Sequence, residues 1–203
     1  MTEGRDRLPL AICDGGPHLF IPWDLVSQWR GADGGLLPDF ADTDYGRACL
    51  VSGPAGLLQV GPGQGLVIAG SPAFTYWVGA RNRPGGDLVT PRAWTFDFTN
   101  SQIREACGDS VPKRFRDLDL VLLIPSHGCC LFAACDRAPD RVYHTSWVPL
   151  ARGSYRVFAA EVEWPAGLQL QLIRLEVDYQ CQQPPDSHLK LPAPVRQQIR
   201  WTS

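Results

Sequence analysis

A chain of 203 residues with 44% apolar and 20% charged content can bury a substantial core, so disorder is not its default state. The formal charge of −2 argues against nonspecific nucleic-acid binding, which runs on clustered Lys and Arg. No run approaches the ~18 consecutive apolar residues needed to span a bilayer. Acidity is concentrated early: residues 1–100 carry ten acids against seven bases, whereas residues 101–203 carry eleven against twelve. The N-terminal residues lead straight into a short apolar run without a secretory core. The seven cysteines lack framework spacing and read as reduced thiols, which places the protein in the cytoplasm.

Glycine (20) and proline (18) recur between short apolar runs, a pattern of many turns and many strands. Leu8–Cys13 reads as a strand, Asp14-Gly15-Gly16-Pro17 as a turn, and His18–Ile21 as a second strand. Pro22 suits the first turn of a helix. Trp23, Val26 and Trp29 mark its apolar face, both tryptophans serving as core anchors, and Gly31 stops it. Residues 31–46 form a polar connection. Strands are then expected at Arg47–Ser52, Leu57–Val60, Leu66–Ala69, Phe74–Val78 and Leu88–Phe96, separated by Gly/Pro turns.

Ser101–Ala106 reads as a helical turn and Gly108–Asp117 as a basic loop. Five further strands are expected at Leu120–Ile124, Cys130–Ala134, Thr145–Leu150, Tyr155–Trp164 and Leu168–Val177, before a Gln/Pro-rich tail from Gln180. In the last strand Leu168, Leu170 and Leu172 alternate with glutamines, then Ile173, Leu175 and Val177 carry the apolar set in the opposite parity. A one-residue bulge near Leu172–Ile173 in a half-exposed strand would restore one face. The fold class is therefore mainly β (α+β), with antiparallel sheets and one or two short helices. The architecture is either sandwich-like or two similar β modules, since the Gly65 and Gly128 regions echo each other faintly. The division falls as 1–100, an N-terminal β module with the short helix, and 101–203, a C-terminal β module with the tail, sharing one core.

The search for chemistry gives negative expectations. Gly61-Pro62-Gly63-Gln64-Gly65 leads into a β-branched run rather than a helix and has no Lys-Ser or Lys-Thr pair, so it is a hairpin turn and not a phosphate loop. Asp39, Asp42 and Asp44 miss the calcium-loop spacing, because Gly46 falls at position 5 and no acid closes the loop. His127-Gly128-Cys129-Cys130, with Cys135 and His144, is the best candidate for zinc or a thiol nucleophile. Adjacent cysteines on a strand point to opposite faces, however, and no partner is singled out. No G-x-S-x-G or H-E-x-x-H element occurs. The expectation is no catalytic residue, no metal and no cofactor.

What remains is a surface. Between Gly31 and Gly46 lie Asp33, Asp39, Asp42 and Asp44 with Phe40 and Tyr45, and no Lys or Arg. The bland reading is a solvated loop. The sharper one is an acidic, aromatic face for a basic protein partner, with carboxylates steering encounter and aromatics supplying contact.

These residues resemble the immunity protein 21 family of bacterial polymorphic toxin systems. The resemblance is carried by Gly15-Gly16-Pro17, the extended segment ending at Pro22, and Leu25 to Trp29 followed by Arg30-Gly31-Ala32-Asp33-Gly34. It continues through Asp44-Tyr45-Gly46-Arg47-Ala48-Cys49, the Gly61–Gly65 turn into Leu66-Val67-Ile68, and Thr75-Tyr76-Trp77, in order across roughly residues 12–95. Gly46 departs from it, standing where the family pattern has an acid. Leu131-Phe132 and the run from Val148 to Val157 resemble a β unit of several immunity-type proteins.

The resemblance implies a cytoplasmic, non-catalytic protein that binds one cognate toxin domain, encoded by the adjacent gene, and blocks it. It involves neither nucleic acid nor membrane. Asp39, Asp42, Asp44 and Tyr45 are the expected toxin contacts. Two other classes compete with it: a structural or accessory β module of a secretion system, and a thiol-dependent enzyme using Cys129 or Cys130.

Overall fold

Short strands cut by glycine and proline can bury apolar side chains only by stacking sheets, and the computed structural model shows that outcome. It describes residues 7–13, 15–33, 39–92, 98–109, 111–137, 145–164 and 168–180. The strands are β1 (Leu10–Ile12), β2 (His18–Pro22), β3 (Ala55–Val60), β4 (Gly63–Ile68), β5 (Phe74–Gly79), β6 (Gly85–Pro91), β7 (Arg116–Ile124), β8 (Cys129–Ala133), β9 (Ser146–Val148), β10 (Gly153–Trp164) and β11 (Leu168–Val177). They form two antiparallel sheets, a six-stranded one ordered β1-β5-β6-β11-β10-β7 and a five-stranded one ordered β3-β4-β2-β8-β9. Both sheets mix early and late strands, through β6–β11 in the first and β2–β8 in the second.

The sheets pack face to face. Phe20 of β2 stacks on Trp77 of β5, ring centroids 5.4 Å apart and 20° from parallel. Around them one core cluster gathers Leu66, Ile68, Cys129 and Leu131 from the smaller sheet and Leu88, Leu122, Tyr155, Ile173 and Leu175 from the larger. At one seam the Ser146 hydroxyl donates to Leu10 O and accepts from Leu10 N–H, both at 2.8 Å, tying edge strand β9 to edge strand β1.

Each outer face is covered as well. Helix α2 (Asn100–Cys107) lays Ile103 and Ala106 on Phe74, Val89, Leu170 and Leu172 of the larger sheet. Thr99 caps it reciprocally: its Oγ1 accepts from Gln102 N–H, and the Gln102 side chain accepts from Thr99 N–H at 2.9 Å. On the smaller sheet, a 3₁₀ helix at Trp23–Gln28 and helix α1 (Asp44–Cys49) cover Leu19, Ile21, Val67, Cys130 and Phe132.

This double coverage overturns the expected bulge in β11. Its pairing with β10 and β6 runs without a shift past Leu172–Ile173. Leu170 and Leu172 face the α2 side while Ile173 and Leu175 face the inter-sheet core, so the two parities serve two cores. The strand is central rather than half exposed, and even Gln171 is buried, its amide donating to Pro54 O at 2.8 Å. The register break lies instead between β7 and β10 at Val157/Phe158, where Asp119 takes a φ of 55°.

The strand expected at Arg47–Ser52 is also corrected, because Asp44–Cys49 is helical. Thr43 caps it, its Oγ1 accepting from Gly46 N–H at 2.8 Å. The expected strand Leu88–Phe96 is β6, beginning earlier at Gly85 and ending at Pro91; residues 93–97 and the tail from Cys181 lie outside the described residues.

One polar row crosses the core. His18 Nδ1 lies 2.7 Å from Thr75 Oγ1, which lies 3.1 Å from Thr90 Oγ1. Burial lowers the His18 pKa from 6.5 to about 4, so the native imidazole stays neutral where the unfolded one takes up a proton. The unfolded state therefore binds more protons between those values, and stability is lost as pH falls from about 6.5 to 4, by on the order of 3 kcal/mol for this group. Denaturant titrations at pH 7.5 and 4.5 should show that loss shrinking in His18→Asn relative to wild type. An equal loss in both proteins would assign the acid sensitivity elsewhere.

Candidate functional site

The segment singled out by its acids and aromatics lies in the layer over the smaller sheet. Pro22, with φ −53° and ψ 141°, turns the chain out of β2 into the 3₁₀ helix. That helix buries Leu25 and Val26 and leaves Trp23 50% exposed, so Trp23 is not the core anchor expected of it. A helix with three residues per turn does not present the 3.6-residue face that the spacing implied. Trp29 follows the helix in extended conformation, is 1% exposed, and donates its indole N–H to Ala134 O at 3.0 Å.

Beyond it a second short 3₁₀ helix, Asp39–Asp42, leads into α1. Asp44, in the first turn of α1, does structural work with both oxygens. Oδ1 pairs with the Arg47 guanidinium, and Oδ2 accepts from Arg30 N–H at 2.8 Å, fastening α1 to the end of the first 3₁₀ helix. Tyr45 donates its backbone N–H to Gly31 O at 3.0 Å and sets its ring edge-on to Phe40, centroids 5.5 Å apart. Its hydroxyl reaches Gly16, and burial, with the Cys49 thiol beside it, pushes its pKa up to about 12. Asp42 is exposed. Asp39 opens the second 3₁₀ helix, so the four residues fall in one short stretch of chain, with Asp44 and Tyr45 tied inward and Asp42 turned to water.

Gly46 is fixed by packing. A Cβ there would overlap the Phe40 carbonyl, so the acid expected at this position has no room in this chain.

The thiol candidates are separated by geometry. Cys129 faces the inter-sheet core and Cys130 the outer cluster, as adjacent strand residues must. Both are fully buried, and burial pushes both thiols up, Cys130 to about 12, the opposite of an activated thiolate. His127 is exposed, and His144 and His188 lie outside the described residues. Cys135 instead approaches Cys13, Sγ to Sγ 4.0 Å. Among the described residues no group of three or more His, Cys, Asp or Glu is placed to hold a metal ion, and no helix is long and apolar enough to cross a membrane.

Sequence reasoning did not find a cleft between the β5–β6 connection and α2, where Arg83 and the bidentate Arg174 neutralise buried Asp87 at 2.8–3.5 Å. It also did not find Trp147, 54% exposed on edge strand β9. A lone Trp in so short a strand carries no periodic signal.

A family model described as Immunity protein 21 matches residues 12–82. The match runs from the end of β1 through both 3₁₀ helices, α1 and β3 to β5, about a third of the chain, and stops short of the residue 95 reached by the sequence resemblance. No curated protein and no solved structure matches.

Trp29→Ala should destabilise the protein by about 3–5 kcal/mol, the range for deleting a large buried aromatic, whereas Trp23→Ala should change stability by less than about 1 kcal/mol. Equilibrium urea unfolding of the two variants checks the assignment; equal losses would contradict it.

Proposed function

We propose that this protein is an immunity protein that binds a cognate toxin domain and neutralises it stoichiometrically, without turnover. The observation that carries the reading is the Immunity protein 21 match over residues 12–82, the segment that supplies the short helices over the smaller sheet. A protein of this kind needs surface complementarity and tight binding rather than a reaction centre. It acts in the cytoplasm, on a protein partner rather than on nucleic acid or membrane. Its N-terminal part and the part beyond about residue 100 work as one unit, an inference supported by an inter-sheet core that draws on both.

The toxin contact includes Asp39, Asp42, Asp44 and Tyr45. Asp42 offers its carboxylate outward, while Asp44 and Tyr45 hold the segment in shape from below. Carboxylates presented this way attract a basic surface such as the cleft of an enzyme that grips phosphates. The attraction speeds encounter and fades as salt shortens the screening length to about 8 Å at physiological ionic strength.

The test is co-expression with the product of the adjacent gene. Cells should survive its toxicity, and the two chains should copurify in equal amounts. In stopped-flow mixing, Asp42→Asn should slow association two- to fivefold at low salt, with the difference closing at high salt. Absence of both protection and complex would defeat the reading, and unchanged association at both salts would remove the acidic segment from the contact.

A further inference from the structure

Two tryptophans in this fold are left half in water, and the backbone brings both to one glycine. Trp147 is 54% exposed and Trp23 is 50% exposed, an unusual expense of large apolar surface. Trp147 pairs in register with Cys130, which pairs in turn with Ile21. Residues directly opposed in antiparallel strands share a face, and Ile21 and Cys130 belong to the outer cluster of the smaller sheet. Trp147 therefore rises on the same outer face that the Trp23–Gln28 helix covers.

Gly128 joins them. Its carbonyl accepts from Trp23 N–H at 3.1 Å and its own N–H donates to Leu150 O at 2.8 Å. The Trp147 indole lies so close over it that a Cβ there would sit 2.5 Å from Nε1. With φ at +91°, Gly128 is also in a conformation that side chains rarely adopt. The result is a rigid shelf, Trp147 seated on a pinned peptide and Trp23 springing from the next hydrogen bond.

Charge on the layer beside the shelf selects the occupant. Asp33 pairs with Arg137 at 3.1 Å and Asp44 pairs with Arg47, which cancels those four groups. Asp24, next to Trp23, and Asp42 are exposed and without an ion pair among the described residues, against one exposed cation there, Arg30, likewise without one. The 3₁₀ helix from Trp23 to Gln28 is about 12 Å long at ~2 Å per residue. Two residues past its end Arg30 N–H donates to Asp44 Oδ2, so this one short helix links the shelf to the acidic segment, a span of the size that an ordinary footprint of ~800 Å² per partner covers.

We propose that Trp23 and Trp147 are the apolar anchors of the toxin-binding surface, inserting into an apolar recess of the toxin domain whose rim is basic and meets Asp24 and Asp42. This rests on the reading of the chain as a toxin-binding immunity protein and adds to it the centre of the contact. Tryptophan is enriched at such centres, because it loses little conformational freedom for the area it buries.

The experiment is calorimetric titration of wild type, Trp23→Ala, Trp147→Ala and Trp23→Phe with the purified polypeptide of the adjacent gene. Sedimentation velocity of each protein alone and its thermal unfolding are measured alongside. Each alanine variant should weaken binding at least tenfold, mainly through faster dissociation, while Trp23→Phe retains most of the affinity. Trp23→Ala should keep the wild-type melting temperature within a few degrees, so its loss of binding is not a loss of fold. If wild type does not bind, the immunity reading itself falls and this proposal with it. If wild type binds and both alanine variants bind as tightly, the immunity reading stands and the anchors are refuted. If Trp23→Ala converts a dimer of this chain to monomer, the shelf is a self-association surface, and the proposal is overturned.

Discussion

The constraint on which the rest depends is that the central strands of both sheets are covered on both faces. A sandwich with wet outer faces would need alternating strands. Here β2 is buried at all five positions and β8 likewise, because Phe20 and Leu131 enter the inter-sheet core while Leu19, Ile21, Cys130 and Phe132 enter the outer cluster. The stacked Phe20 and Trp77 set the inner layer; the short helices must then cover what the strands leave apolar outside. That demand explains why elements too short to be stable alone are ordered at all: they are held by the sheet they cover.

Coverage by six-residue helices also decides which side chains are free. Trp29 enters the outer cluster and is fixed by Ala134 O, Asp44 bridges α1 to Arg30 N–H, and Thr43 caps α1. Once those groups are used inward, the surface over the smaller sheet includes exposed Trp23, Asp24, Arg30, Asp42 and Leu50, with Trp147 arriving from edge strand β9. The arginine cleft on the other sheet differs in kind. There the Arg83 and Arg174 guanidiniums are engaged by buried Asp87, and Arg174 also lies 3.8 Å over the Phe115 ring, so these charges stabilise one another.

Most strands were legible because turn chemistry brackets them: β4, β5, β8, β10 and β11 fall within a residue or a few of the runs bounded by Gly and Pro. α2 was legible as a helical turn at Ser101–Ala106, though not its Thr99 cap. The misreadings have different causes. For β11 the assumption of a single buried face demanded a bulge where the chain instead feeds two cores. For Arg47–Ser52 an apolar run was read as strand, although Thr43 and Asp44 are an N-terminal helix signal. For Trp23 an α-helical period was imposed on a 3₁₀ segment. In the site, the acids and Tyr45 were visible as composition, but their division of labour was not. That division depends on contacts such as Asp44 with Arg30 N–H, 14 residues apart, which no local pattern encodes.

The central claim is that the layer over the smaller sheet meets the toxin. Hydrogen–deuterium exchange of the protein, free and saturated with the polypeptide of the adjacent gene, tests it most directly, because protection is read peptide by peptide without altering the chain. The account predicts new protection in the peptides spanning residues 23–30, 39–50 and 146–148, with the arginine cleft at residues 81–83 and 101–109 unchanged. Protection confined to the cleft, with the tryptophan shelf and α1 exchanging as in the free protein, would contradict it.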